Sequence, residues 1–274
     1  MTTTARRPFA VASSLGLALA AVFAAASLGN ILLPGAYARE TPSWAAQGFG
    51  QDWVDLLLAV PVLAASAALA RRGSRPAGLV LGGAIGYTAY SLVLYSFAMH
   101  FNALFLAYTA GLGLSFYAFV NVVLAYGREA HATWVRTPRA IDSAAGAFSV
   151  LLGLAFYALW LSEVIPAIAS GTAPASLAEV GLITNPVQVL DIAIVLPAFV
   201  VGGVALVRRR PTGYWLVPVM LTFAVLMDTA LIGMDVSMAA RGVPGGGQRI
   251  GMFAVMETIS LVLLVGTMRR GRQS

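Results

Sequence analysis

Apolar residues run along this chain in long blocks, broken by short connections that are polar or rich in arginine. Eight blocks approach or exceed the roughly 20 mostly apolar residues that a helix needs to cross a bilayer. They fall at about residues 9–33, 52–70, 77–99, 102–126, 141–166, 187–207, 213–239 and 250–268. The pattern predicts an all-α polytopic integral membrane protein with eight transmembrane helices. The first block lies between Arg6-Arg7 and Ala36-Tyr37-Ala38, a loose mimic of a signal peptide and its cleavage site. It is too long for a signal core of roughly 7–15 residues, so a first transmembrane helix is expected instead.

The connections set the orientation, because short loops rich in arginine stay in the cytoplasm. Fourteen of the 17 arginines fall in one alternate set of ends and loops, and three (Arg39, Arg241, Arg249) in the other. The alternation holds across all eight spans and puts both termini in the cytoplasm. The expected location is a bacterial plasma (inner) membrane.

Composition agrees with the pattern. Hydrophobic residues make up 59% and charged residues 10%, against about 25% charged in soluble domains. A water-soluble domain and a disordered chain are both excluded. With no cysteine there is no disulfide, thiolate metal site or iron–sulfur cluster. With no lysine there is no Schiff base to retinal. The two histidines, His100 and His131, are too few for a multi-haem protein or a three-histidine zinc site. The pI near 10.1 reflects arginines flanking spans rather than a nucleic-acid partner. The expected partners are the lipid bilayer and a small-molecule or cation ligand, with a divalent cation as the possible cofactor.

Two stretches read alike. Asp55 is followed six residues later by Pro61, then by Arg71-Arg72 and Arg75-Pro76-Ala77-Gly78. Asp191 is followed six residues later by Pro197, then by Arg208-Arg209 and Arg210-Pro211-Thr212-Gly213. Spans 1 and 5 each lead into a long outer loop, and spans 2 and 6 into a short basic inner one. The expectation is a tandem duplication of a four-helix unit, residues 1–140 and 141–274. An even number of helices per unit makes the repeats parallel, related by an axis along the membrane normal. In that register His100 falls opposite Asp235, and Asn30 near Glu163. The outline is similar to haem A synthase, but the paired histidines of that chemistry are absent here, and no family is assigned.

Charged side chains inside a bilayer cost at least about 2.5–3.5 kcal/mol at a helix centre and are functional candidates by default. Here the acids crowd toward one side. Asp52 and Asp55 are expected to open span 2 at its outer end. Glu163 lies near the outer end of span 5, Asp191 in the first turn or so of span 6, and Asp235 near the outer end of span 7. Asp228 and Glu257 lie near the middle of spans 7 and 8, and no comparable acid is expected in the cytoplasmic half of any span. Asp228 and Asp235, seven residues apart, share a helix face. Tyr87, Tyr90, Ser91 and Tyr95 form a polar stripe on span 3 leading to His100 and Asn102, and span 4 adds Tyr108, Ser115, Tyr117 and Asn121. No arginine lies in the body of a span, and Arg249 is eight residues from Glu257. An unpaired buried acid must stay protonated or hold a cation. The candidate ligand- or ion-binding residues are Asp228, Glu257, Asp235, Glu163, Asp191, Asp55, His100, Asn102 and Tyr95. Asp228 and Glu257 are also the candidate metal ligands.

Plainer readings stand beside these. Asp228 and Glu257 would serve as neutral acids joining helices, and Asp55 and Asp191 as caps of their own helices. Methionines on spans 7 and 8 suit packing, as do Gly82 and Gly86. Pro61, Pro197 and Pro218 suit kinks, and the loop at 168–188 is long enough for a lid. Three function classes follow. They are a transporter with an outward-facing, acid-lined cavity, a membrane-embedded enzyme at the outer leaflet, and a sensor or assembly protein with structural acids. The chain has no HExxH, GxSxG or P-loop motif, and polarity fades below the outer thirds of spans 2, 5 and 6. The expectation is a protein that binds a proton, a cation or a cationic small molecule, with transport ahead of catalysis.

Overall fold

The structure, a computed structural model, describes residues 9–129 and 139–268. Arg6, Arg7, His131, Arg136, Arg269, Arg270 and Arg272 lie outside them. Eight helices are long and apolar enough to cross a membrane. They are α1 (Ala10–Leu32), α2 (Pro42–Arg71), α3 (Arg75–Phe97), α4 (Phe105–Glu129), α5 (Arg139–Ser170), α6 (Pro186–Val207), α7 (Pro211–Ala240) and α8 (Ile250–Met268). No strand occurs among the described residues. Sequence neighbours run antiparallel, so α1 begins and α8 ends at one end of the bundle, the proximal end. The connections after α1, α3, α5 and α7 lie at the other, distal end.

Helix starts follow local chemistry. Thr41 caps α2 by accepting from the Trp44 N–H at 3.2 Å, and Ser74 and Asn185 cap α3 and α6 in the same way. Pro42, Pro76, Pro186 and Pro211 sit in first turns, where a missing N–H costs nothing. These starts correct the sequence reading. Helix α2 begins at Pro42, ten residues before the expected 52, so Asp52 and Asp55 lie inside a helix and not at its mouth. Neither Asp55 nor Asp191 is a cap. Trp44 and Phe49 are also part of α2.

Both acids instead open a wide turn. Asp55–Ala59 and Asp191–Val195 are each a single π-helical turn, closed by the N–H of Val60 on the Asp55 carbonyl and of Leu196 on the Asp191 carbonyl. The cause lies two residues beyond each turn, at Pro61 and Pro197, whose rings crowd the preceding turn and offer no N–H. The Ile192 carbonyl, which Pro197 leaves without a backbone donor, accepts the Tyr157 hydroxyl at 2.8 Å. Of the three prolines expected to kink their helices, Pro61 and Pro197 each follow a π turn, whereas Pro218 lies inside α7 without one.

The helices pack as two closed rings. Helix α1 contacts α2, α2 contacts α3, α3 contacts α4 and α4 returns to α1; α5 through α8 repeat that order. The rings meet where α7 packs on α2 and α3, and where α3 packs on the start of α6. Helices α3 and α7 form the centre, with 78% and 61% of their apolar windows buried against 22% for α5 and α8. Glycine makes the central contacts possible. A Cβ on Gly83 would stand 2.5 Å from the Val219 carbonyl, and one on Gly50 2.3 Å from the Gly233 carbonyl. Gly86, expected as a packing glycine, has room to spare: its nearest neighbours are 3.8 Å away.

Candidate functional site

The polar groups that the bundle must satisfy internally collect near the distal end, in the first ring. Asp52 and Asp55 are three residues apart on α2 and fully buried. Asp52 Oδ1 accepts from Asn30 Nδ2 of α1 at 3.1 Å and from the Tyr95 hydroxyl of α3 at 2.9 Å. Its Oδ2 accepts from the hydroxyl of Tyr37 in the α1–α2 loop. Asp55 Oδ1 accepts from Tyr87 at 2.5 Å, and its Oδ2 lies 3.1 Å from the same Tyr95 hydroxyl. An outer layer orients these donors. Asn102 donates to Tyr108, which donates to Asn30, and the Tyr95 and Tyr108 rings stack at 5.4 Å. Gln51 donates to Ser91 at 2.9 Å.

Among the described residues, no cation hydrogen-bonds to either carboxyl. Four neutral residues, Asn30, Tyr37, Tyr87 and Tyr95, hold two acids in a region closed to solvent, where unbalanced charge is costly. Tyr37 lies outside the spanning segments; burial and the adjacent Asp52 carboxyl push its hydroxyl well above the ordinary phenol range, so it remains a donor. Its ring rests on α2 at Gly48, where a Cβ would come within 2.4 Å. Replacing Tyr37 by phenylalanine is expected to cost roughly 1–3 kcal/mol through the lost donor, read as a lower unfolding midpoint. Gly48→Val is expected to mimic it by displacing the ring. If Tyr37→Phe leaves stability unchanged, this hydrogen bond does not hold the loop down.

The α1–α2 loop is fastened to the α3–α4 loop. Glu40 accepts from the His100 backbone N–H at 2.8 Å and meets His100 Nδ1 at 3.1 Å. Arg39 donates to the Phe101 carbonyl, and Trp44 Nε1 to the Ala98 carbonyl at 2.9 Å. His100 thus joins the two loops through Glu40 and has no hydrogen bond to Asp52 or Asp55.

The remaining candidates are spread through the second ring. Asp191 accepts from Trp160 Nε1 of α5 at 2.8 Å, and Tyr90 of α3 stands close to it across the boundary between the rings. Glu163 accepts from Ser176 and, at 2.7 Å, from Gln188. The 168–188 segment carries a short helix, Ala175–Val180, whose Glu179 accepts from Ser43 of α2 at 2.8 Å. Asp235 has a counter-charge: Arg249 contacts it through Nη2 at 2.7 Å, Nε at 3.1 Å and backbone N–H at 2.8 Å. Glu257 accepts from Thr229 at 2.9 Å, with Asp228 nearby. The acids therefore do not line one cavity. An acid also lies at the proximal end: Asp142, near the start of α5, is buried. Among the described residues, no group of three or more His, Asp or Glu side chains is placed to hold a metal ion.

Sequence reasoning passed over Tyr37, Gln51 and Glu40. Tyr37 and Glu40 stand in a nine-residue connection with no periodicity to mark them, and Gln51 fell just before the expected start of span 2. Asp52 was visible, but at a helix mouth rather than at the centre of the network. The chain matches no family model, no curated protein and no solved structure.

Proposed function

We propose that the protein is a proton-coupled membrane transporter, with Asp52 and Asp55 as its proton-binding pair at the outer side. The carrying observation is the Tyr95 hydroxyl, within 2.9 Å of one carboxyl and 3.1 Å of the other. A hydroxyl has one hydrogen to donate. If Tyr95 gives it to one acid, the other acid meets Tyr95 through an O–H of its own. Asp52 receives Asn30, Tyr37 and Tyr95, the surroundings of an ionised carboxylate. Asp55 receives Tyr87 alone on Oδ1 and turns Oδ2 to Tyr95, which suits the acid that carries the proton. Asp55, Tyr95, Asp52 and Tyr37 then form a relay to the distal surface. The arginine distribution makes that surface the outer one and both termini cytoplasmic.

A parallel duplication supports transport. The two rings share their order of contacts, their π turns at Asp55 and Asp191, and a paired amide and acid. Asp52 and Gln188 each stand three residues before the π-turn aspartate. Asp52 bonds to Asn30 and Gln188 to Glu163, so acid and amide have exchanged helices between copies. Parallel halves about an axis along the membrane normal are one of the plans on which transporters alternate access. The transported partner of the proton in this proposal is a cation or cationic small molecule.

Infrared spectra of the lipid-reconstituted protein, taken across a pH series, test the reading. A carboxylic C=O band is expected that fades with rising pH, shifts in Asp52→Asn and disappears in Asp55→Asn. A wild-type spectrum with no such band, or a band that Asp55→Asn leaves unchanged, overturns it.

A further inference from the structure

A second acid pair stands apart from this network. Asp228 of α7 is 3% exposed, and its buried Oδ2 has no hydrogen-bond partner. Such an oxygen is rare in folded proteins and calls for an explanation. Its charged neighbour is another acid, Glu257 of α8, which is half-buried and bonded through Oε1 to Thr229, the residue after Asp228. Two ionised carboxyls so placed would repel each other in a medium that screens poorly. The other acids on the distal halves of the helices packed on α7 already have partners. Asp235 is paired with Arg249, Asp52 with Asn30 and Tyr95, Asp55 with Tyr87 and Tyr95, Glu163 with Gln188, and Asp191 with Trp160.

We propose that Asp228 and Glu257 form a second proton-binding site, holding one proton between them and exchanging it along the lipid-facing seam of α7 and α8. A proton on one acid removes the repulsion and supplies the hydrogen bond that Asp228 Oδ2 lacks. The exposed face of α8 around Glu257 is largely apolar, with Val255, Ile259 and Leu261 on it. Leu261, one turn beyond Glu257 on the same stripe of α8, begins an apolar crevice of about 680 Å³ between α8 and the start of α5, lined also by Val265 and Ile141. Glu257 is flanked by exposed Ala254 and Thr258.

Dicyclohexylcarbodiimide tests this, because it partitions into lipid and reacts with a carboxylic acid in its protonated form. The acid O–H adds across one C=N bond, and the product rearranges to a stable N-acylurea that mass spectrometry locates. Proteoliposomes of the full chain, labelled over a pH series, are expected to give one adduct on the α7–α8 pair, fading as pH rises. Asp228→Asn removes the neighbouring negative charge that favours the proton. The labelling midpoint of Glu257 is then expected to move to lower pH by about one unit, a tenfold weaker proton affinity. Asp228→Glu keeps the second acid and is expected to keep the wild-type midpoint, which separates charge from damage to the fold. The proposal is overturned if no adduct forms on the pair at any pH or if Asp228→Asn leaves the midpoint in place. It is also overturned if sodium or magnesium ions at fixed pH suppress labelling, since the site would then hold a metal cation between two ionised acids. Adducts on α2 would bear on Asp52 and Asp55 alone, so the two sites succeed or fail separately.

Discussion

Arg249→Ala is expected to destabilise the folded protein by about 3 kcal/mol, the lower end of the range for stripping one partner from a buried ion pair. Asp235 is 1% exposed, whereas the Arg249 side chain is 53% exposed. Losing the guanidinium therefore strands a carboxylate inside the bundle while freeing a group that was already half in solvent. Only the backbone N–H of residue 249 would remain as donor, at 2.8 Å in the native chain. The lower end of the range applies because the arginine gives up little hydration on folding. Asp235→Asn in the same chain is expected to restore most of the loss, since a neutral amide needs no counter-charge. Unfolding free energies of the two variants and the wild type check both statements. A single variant as stable as the wild type would show that the pair contributes nothing to holding the α7–α8 loop on α7.

Gly50→Leu is expected to cost about 3 kcal/mol or more, at or above the top of the range for overpacking. The Cβ would overlap the Gly233 carbonyl at 2.3 Å, its carbon at 2.7 Å and Ser237 Cβ at 2.8 Å. Two of those atoms are backbone, which has no rotamer to yield, so α2 and α7 must separate. Because Gln51, Asp52 and Asp55 follow on the same helix, their hydrogen bonds to α1 and α3 would be strained with it. Gly86→Ala is the matched control: its new methyl would sit 3.8 Å from Phe119 and Phe223 and is expected to be close to neutral. The thermal midpoints of the two variants, side by side, give the answer. Equal midpoints would mean that the α2–α7 approach is not close in solution.

The number of spans was legible because a bilayer imposes one length and one composition, and each apolar block meets both. Where α2 begins was not. Residues 42–51 include Ser43, Gln47, Gln51 and two glycines, too polar a mix to extend an apolar window, yet Thr41 and Pro42 start a helix there. That shift of ten residues turned Asp52 and Asp55 from entrance groups into interior ones. The tyrosine stripe of α3 was readable from its spacing and does meet acids, with Tyr87 and Tyr95 on α2 and Tyr90 on α6. Partners from loops were not readable, since nothing in the spacing of Tyr37 or Glu40 says which residue a connection will fold back upon. Arg249 was judged by its distance to Glu257 along α8. Its actual partner lies across the loop, where counting along one helix is blind.

Helix α3 has a mechanical consequence. Tyr87 and Tyr90 stand three residues apart, separated by about 4.5 Å along the axis and 60° around it. One donates to the π-turn aspartate of the first ring, and the other stands beside that of the second. The helix is therefore a yoke between the two π turns. Because both phenols ride on one helix, a tilt or twist that moved one relative to its carboxyl would move the other as well.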